Sequence, residues 1–252
     1  MEARFLSIIM IPLYLLLGMF GYRTDVEVEP HKQNINGSKI DEYSDTEAVD
    51  KKKSAEMDNK SEENKDISGF IPKGWHLLDT SGDSKVEGDL NGDEITDIAF
   101  VIEGDKEEEL GAPRTLMIIT GNPDGTYTLA AKGEKVILRK YGGGIMGDPF
   151  MGLSINRGSL LVGHYGGSAW RWGKSYRFRY EGDGWYLIGA TEDWFHAVSN
   201  RGKKYEDINL LTGDYKMIET DDNGVEKHTE GNRGKKKLVN LVDFDTNGDR
   251  QF

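Results

Sequence analysis

The chain is predicted to fold as an all-β domain, an antiparallel meander, sandwich or propeller-like arrangement, behind a polar N-terminal tether. Three observations predict this. From residue 70 onward, short apolar and aromatic runs recur between Gly, Asp and Asn residues, the punctuation of strands and turns. In Ser175-Tyr176-Arg177-Phe178-Arg179-Tyr180 aromatic and charged residues alternate, so one face of a strand packs and the other meets water. No long amphipathic helical period appears after Gly74.

Strands are expected at residues 95–102, 114–120, 127–131, 153–155, 160–165, 175–180, 185–190 and 238–242. Several are joined by recognisable turns. Asn122-Pro123-Asp124-Gly125 supplies a proline with preset φ and a glycine for positive φ. Asp183-Gly184 and Asn156-Arg157-Gly158 offer the primed turns that match strand twist.

Upstream, residues 5–20 form a nearly uninterrupted apolar run, shorter than the roughly 20 residues of a usual spanning helix. Residues 1–21 therefore read as a secretory signal or an uncleaved membrane anchor, and either places the rest of the chain outside the cell or at its envelope. Residues 22–69 are dominated by Asp, Glu, Lys, Asn and Ser, too polar to bury enough surface to offset ordering entropy, and are expected to be a disordered linker. The folded domain is expected at 70–252. A net charge of −12 argues against nucleic acid and anionic lipid as partners, and the basic runs Lys51–Lys53 and Lys235–Lys237 read as solvated. With no cysteine, disulfides, thiolate metal sites, cysteine nucleophiles and a lipoprotein anchor are excluded for the sequence given.

The clearest chemical pattern is Asp89-Leu90-Asn91-Gly92-Asp93-Glu94-Ile95-Thr96-Asp97, with oxygen side chains at positions 1, 3, 5 and 9 and the Ile95 carbonyl as a backbone donor. Calcium takes six to eight oxygens, and a tight loop of alternate side chains supplies most of them. The same residues also suit an Asx-rich turn without an ion. This stretch resembles the calcium loops of FG-GAP and VCBS-type repeats, the integrin α-chain type of β-propeller module, over about one repeat. The resemblance implies a structural calcium ion held by Asp89, Asn91, Asp93, Ile95 and Asp97, although Glu94 stands where those loops favour glycine. Asp243-Phe244-Asp245-Thr246-Asn247-Gly248-Asp249 has similar spacing but no Glu at position 12, and is expected to be a turn.

Gly142-Gly143-Gly144-Ile145-Met146-Gly147-Asp148-Pro149-Phe150 and His164-Tyr165-Gly166-Gly167-Ser168-Ala169-Trp170-Arg171-Trp172 form the second pattern. The pair resembles a group of secreted bacterial proteins in which GG-x-x-GDPF precedes HYGGS-x-WRW and an aromatic hairpin, a likeness spanning roughly 74–189. It implies a shared fold and supplies no activity. Trp170 and Trp172 share strand parity, so they form either a stacking platform for a sugar, with His164 and Tyr165 beside it, or packing that fills the core or covers a sheet edge.

His164, Ser168 and Asp148 contain the ingredients of a nucleophilic triad without a G-x-S-x-G elbow, and Glu192 or Asp193 could supply one glycosidase carboxylate. Neither pattern places its groups, so catalysis is not the leading expectation. That expectation is an exported, calcium-compatible β-rich binding or envelope-associated module whose partner is an envelope glycan or protein, touching membrane only through residues 1–21 if they stay attached. The alternatives are a secreted hydrolase of envelope polysaccharide or peptide, and a purely structural domain.

Overall fold

Alternation of apolar and polar residues produces, in the computed structural model, two antiparallel sheets facing each other across one apolar layer. The structure describes residues 65–199, 202–221, 223–250 and 252. The expected export segment and residues 22–64 of the expected linker lie outside them. Five strands build the first sheet: β1 (Trp75–Leu77), β2 (Lys85–Gly88), β3 (Asp97–Gly104), β4 (Arg114–Gly121) and β5 (Tyr127–Gly133). Its order is β1-β3-β4-β5, with β2 pairing the other half of β3. The second sheet is a seven-stranded meander of β6 (Phe150–Asn156), β7 (Ser159–Gly167), β8 (Trp170–Tyr180), β9 (Trp185–His196), β10 (Lys203–Asn209), β11 (Asp214–Thr220) and β12 (Glu226–Asn232).

The near-continuous apolar runs of β3 and β4 exist because this sheet is covered on both faces. Ala99 and Val101, opposite Ile118 and Leu116, face the second sheet and join Leu153, Leu160, Val162, Tyr176, Phe178 and Leu187 in the main core. Ile98, Phe100, Ile102, Met117 and Ile119 point the other way, into a smaller core closed by Phe70, with Ile67, Ile71 and Trp75 packed against it. Full burial of a side chain such as Phe100 stabilises by about 1.5–3 kcal/mol. A short 3-10 turn, Ile67–Phe70, carries two of these covering residues, so ordered structure starts slightly upstream of residue 70.

Turn chemistry explains the hairpins. Arg157 and Gly158 both have positive φ between the paired residues Asn156 and Ser159, a primed two-residue turn. In the β8–β9 hairpin the Glu181 N–H bonds the Gly184 carbonyl and Gly182 takes the positive φ, so the central pair is Gly182-Asp183, one residue earlier than expected. The expected strand at 238–242 is instead an irregular segment with one isolated bridge, Tyr186 to Asn240, that turns at 241–243. It continues along β9 where β10 stops, at the Asn209–Gly189 pair, and its Leu241, with Phe244 just beyond, is sealed in the core.

Candidate functional site

The second sheet outruns the first, and its register shows what its inward face carries as it leaves the sandwich. Val162, Tyr176, Ala190 and Ile208 lie side by side on β7, β8, β9 and β10, an apolar row within the core. The next row is His164, Lys174, Glu192 and Glu206. Beyond it come Gly166, Trp172, Trp194 and Lys204, and finally Trp170 opposite His196. One face thus passes from apolar to ionisable to aromatic within three rows.

The ionisable row is tightly held. His164 is 2% exposed, and its Nε2 accepts the Leu138 N–H at 3.2 Å, which leaves the ring proton on Nδ1, without a partner. Burial, with Lys174 and Arg114 nearby, drives its pKa down to about 3, so the ring is neutral. Lys174 Nζ donates to the Thr246 carbonyl at 3.1 Å. The Tyr176 hydroxyl donates to Glu192 Oε1 at 2.8 Å, and burial plus that carboxylate push the phenol's pKa up. Glu206 is 2% exposed; burial raises its pKa, but the guanidiniums of Arg250 and Arg233 outweigh this and hold it below the usual carboxylate range. Arg250 Nη1 is 2.7 Å from Glu206 Oε2.

The C-terminal stretch roofs this row. Phe244 packs edge-on against Tyr176 and Phe178, with centroids at 4.8 and 5.4 Å, and Thr246 Oγ1 donates to the Val136 carbonyl at 2.6 Å. Between roof and sheet lies a cleft of about 300 Å³ lined by Lys174, Tyr176, Glu192, Trp194 and Lys204 on the sheet side. From its mouth the aromatic face continues through Trp172 to Trp170, which is 43% exposed and meets the His196 ring edge-on at 4.9 Å.

Both glycine-rich motifs serve this arrangement. A Cβ on Gly166 would lie 2.4 Å from the Trp172 ring, so only glycine lets that tryptophan lie over β7. Gly144 forms an isolated bridge with Gly167, joining the two motifs. Asp148 makes a two-pronged pair with the buried Arg114 and accepts the Phe150 N–H.

Of the sequence-derived candidates, Trp170, Trp172 and His164 come together on the inward face. Tyr165 lies on the opposite face, its ring centroid 6.3 Å from that of Phe195. His164, Ser168 and Asp148 do not form a relay: His164 bonds Leu138, Asp148 bonds Arg114, and Ser168 sits exposed in the β7–β8 turn. The Asp89–Asp97 loop precedes β3, and its side chains accept N–H groups of the loop itself. Asp89 binds those of Gly92 and Glu94, Asn91 that of Asp93, and Asp93 that of Ile95. Asp97, fully buried, accepts from Leu90 and Gly121, and burial raises its pKa. Glu94 adopts φ 66 at the position where glycine is expected. Among the described residues no group of three or more His or carboxylate side chains converges as a metal site; carboxylates that hold loop N–H groups keep further lone pairs for a cation, so the donor chemistry of the loop, with the Asn91 and carbonyl oxygens, fits calcium.

Trp194, Lys204, Glu206 and Arg250 were not anticipated. The signal for Trp194 is hidden by a bulge: Arg177 pairs with Gly189 and Phe178 with Leu187, so Leu187 and Ile188 are both buried and the parity of β9 switches there. Comparison with protein-family models, with curated proteins and with solved structures finds no match to this chain.

Proposed function

We propose that the chain is an exported binding module that takes an envelope saccharide at the cleft beside Trp194 and along the Trp172–Trp170 face. The observation that supports this reading is the row order itself: flat apolar rings stand next to fixed hydrogen-bonding groups at the mouth of one concave site, the usual make-up of a small-molecule pocket. Trp172 and Trp194 would stack on the sugar ring, while Lys174, Lys204 and Glu192 would bond its hydroxyls. A hydrolytic role draws less support, because Glu206, the carboxylate beside Glu192, is paired with two arginines that hold it ionised, a poor proton donor.

Incubation of the secreted chain with isolated cell-envelope polysaccharide tests the reading. Retention by the insoluble polymer is expected for the native chain and loss of it for the Trp172→Ala/Trp194→Ala double variant, with no release of reducing ends. Release of reducing ends, abolished by His164→Ala in a folded protein, would favour the hydrolase instead.

The Asp89–Asp97 loop enters the proposal as a calcium staple distant from the chemistry. Extracellular calcium modules have dissociation constants of about 10⁻⁴ to 10⁻³ M, and an ion bound only by the folded state raises stability by mass action. Millimolar calcium is therefore expected to raise the melting temperature, and Asp93→Ala to remove that rise. An equal drop for Asp93→Ala in calcium and in chelator would assign Asp93 to the Asx turn alone.

A further inference from the structure

The outward face of the same sheet carries a second cleft, of about 460 Å³, where the β9 bulge dents the surface. Ile188 and Gly189 lie at the bulge, Arg177 and Arg179 of β8 stand on one side, and Asp207 and Asn209 of β10 on the other; the Asn156–Ser159 turn closes one end. The chain as a whole is strongly acidic, with a net charge of −12, yet this cleft gathers three arginines. Arg179 is bound to Glu181, with its Nε 2.6 Å from Oε1. Arg157 and Arg177 have no carboxylate partner among the described residues. Arg177 is half-buried, and among the described residues its guanidinium makes one hydrogen bond, from Nη1 to Ser159 Oγ at 3.0 Å. Ser159 is 4% exposed and donates in turn to the Asn156 carbonyl at 2.7 Å, so the guanidinium is held in place by a buried hydroxyl. Asp207, the one carboxylate lining the cleft, is engaged by the Thr191 hydroxyl at 2.6 Å.

A guanidinium presents five donors in a planar fork matched to oxyanions. Here that fork is fixed and partly desolvated, with most of its donors unused and a second unpaired arginine on the adjoining turn. We propose that this cleft binds a compact oxyanion carried on a polar small molecule, a sugar acid or sugar phosphate, with Arg177 as the fork and Arg157 as the closing charge. The site is independent of the tryptophan face, since β8 side chains alternate and Arg177 and Trp172 emerge on opposite sides.

Calorimetric titration of the full chain with glucuronate, glucose 6-phosphate and glucose tests it. At least one of the two anions is expected to bind ten-fold or more tightly than glucose, and the stronger one identifies carboxylate or phosphate as the preferred group. Arg177→Gln is expected to weaken that binding at least ten-fold and Arg157→Asn, on the exposed turn, several-fold. Asp207→Asn, which keeps an oxygen for Thr191, is expected to strengthen it by removing a negative charge, a gain that a purely structural role for these residues would not produce. Anions binding no better than glucose would overturn the proposal, as would unchanged binding in both arginine variants.

Discussion

Replacing Arg114 with methionine is expected to lower the unfolding free energy by about 3–5 kcal/mol, the cost of leaving buried charge without its partner. Arg114 opens β4 and is 2% exposed. Its Nε lies 2.8 Å from Glu103 Oε1, and Nη1 and Nη2 lie 2.7 and 2.6 Å from the two oxygens of Asp148. Nη1 also reaches the Leu138 carbonyl at 3.2 Å. Burial pulls the guanidinium's pKa down, but the two carboxylates more than compensate and raise it. One side chain thus ties β3, β4 and the segment before the second sheet, and methionine fills its volume while stranding two acids and a carbonyl. The urea midpoint should fall accordingly. Adding Asp148→Asn should restore part of the loss, since residues in one network couple by about 0.5–3 kcal/mol. A loss below about 1 kcal/mol for the single variant would mean that the cluster is solvated and contributes little.

Asp193→Asn is expected to do the opposite, and only at high pH. Asp193 lies across from Gly173 on the outward face, and its Oδ1 occupies the space where a side chain at 173 would start, 2.4 Å from an ideal Cβ. Burial, with Glu192 adding repulsion and the Gly173 N–H opposing both, pushes its pKa up to about 7 from 3.8. Between those values the folded chain holds a proton that the unfolded chain has released, so this group's contribution is intact below about pH 4 and is lost as pH rises toward 7. His164 acts with the reverse sign: its pKa is held down to about 3 from 6.5, so the unfolded chain binds the extra proton and stability falls as pH drops through that window. Over roughly pH 4 to 6.5 the two slopes oppose each other. The asparagine variant should therefore match the native chain near pH 4, exceed it by about 2 kcal/mol at pH 8 after allowance for solvent screening, and melt about 5 °C higher there. It should also uncover a steeper acid limb, due to His164. Equal melting curves at pH 8 would show that Asp193 is ionised without penalty.

The strands that the sequence betrays are those whose pattern is set by packing. β3, β4, β7 and the inner part of β8 were visible from apolar runs and alternation because their residues fill the two cores. β10, β11 and β12 escaped because they carry charges on both faces; Lys203 and Glu206 are buried through salt links rather than through apolar contact, and β12 is an almost fully exposed edge strand. Residues 238–242 misled for the converse reason, an apolar run that plugs the core end instead of pairing along its length.

The site was half visible. Trp170 and Trp172 share parity in any strand, so their common face follows from period two alone. What they face does not: the partner Trp194 lies beyond a bulge, and the roof over Glu192 comes from residues 244–250 and Phe252, more than fifty positions away in sequence. The glycines of the second motif needed the fold before their purpose appeared, since the clash that forbids a side chain at 166 is with a ring six residues on. In the Asp89–Asp97 loop, Asp89, Asn91 and Asp93 each accept a nearby loop N–H, contacts that follow from Asx residues spaced two apart.

Calorimetric titration of oligosaccharides released from cell-envelope polysaccharide, run on the native chain and on Trp194→Ala, tests the proposed binding face most directly. Trp194 lines the cleft of the proposed contact, and truncating an aromatic anchor typically costs about 2 kcal/mol, or roughly 30-fold in affinity. A saccharide that binds the native chain and loses about that factor in a Trp194→Ala protein of unchanged melting temperature is the predicted result. Binding of equal strength in both proteins, or none to either, would contradict the assignment of the Trp194 cleft as a saccharide site.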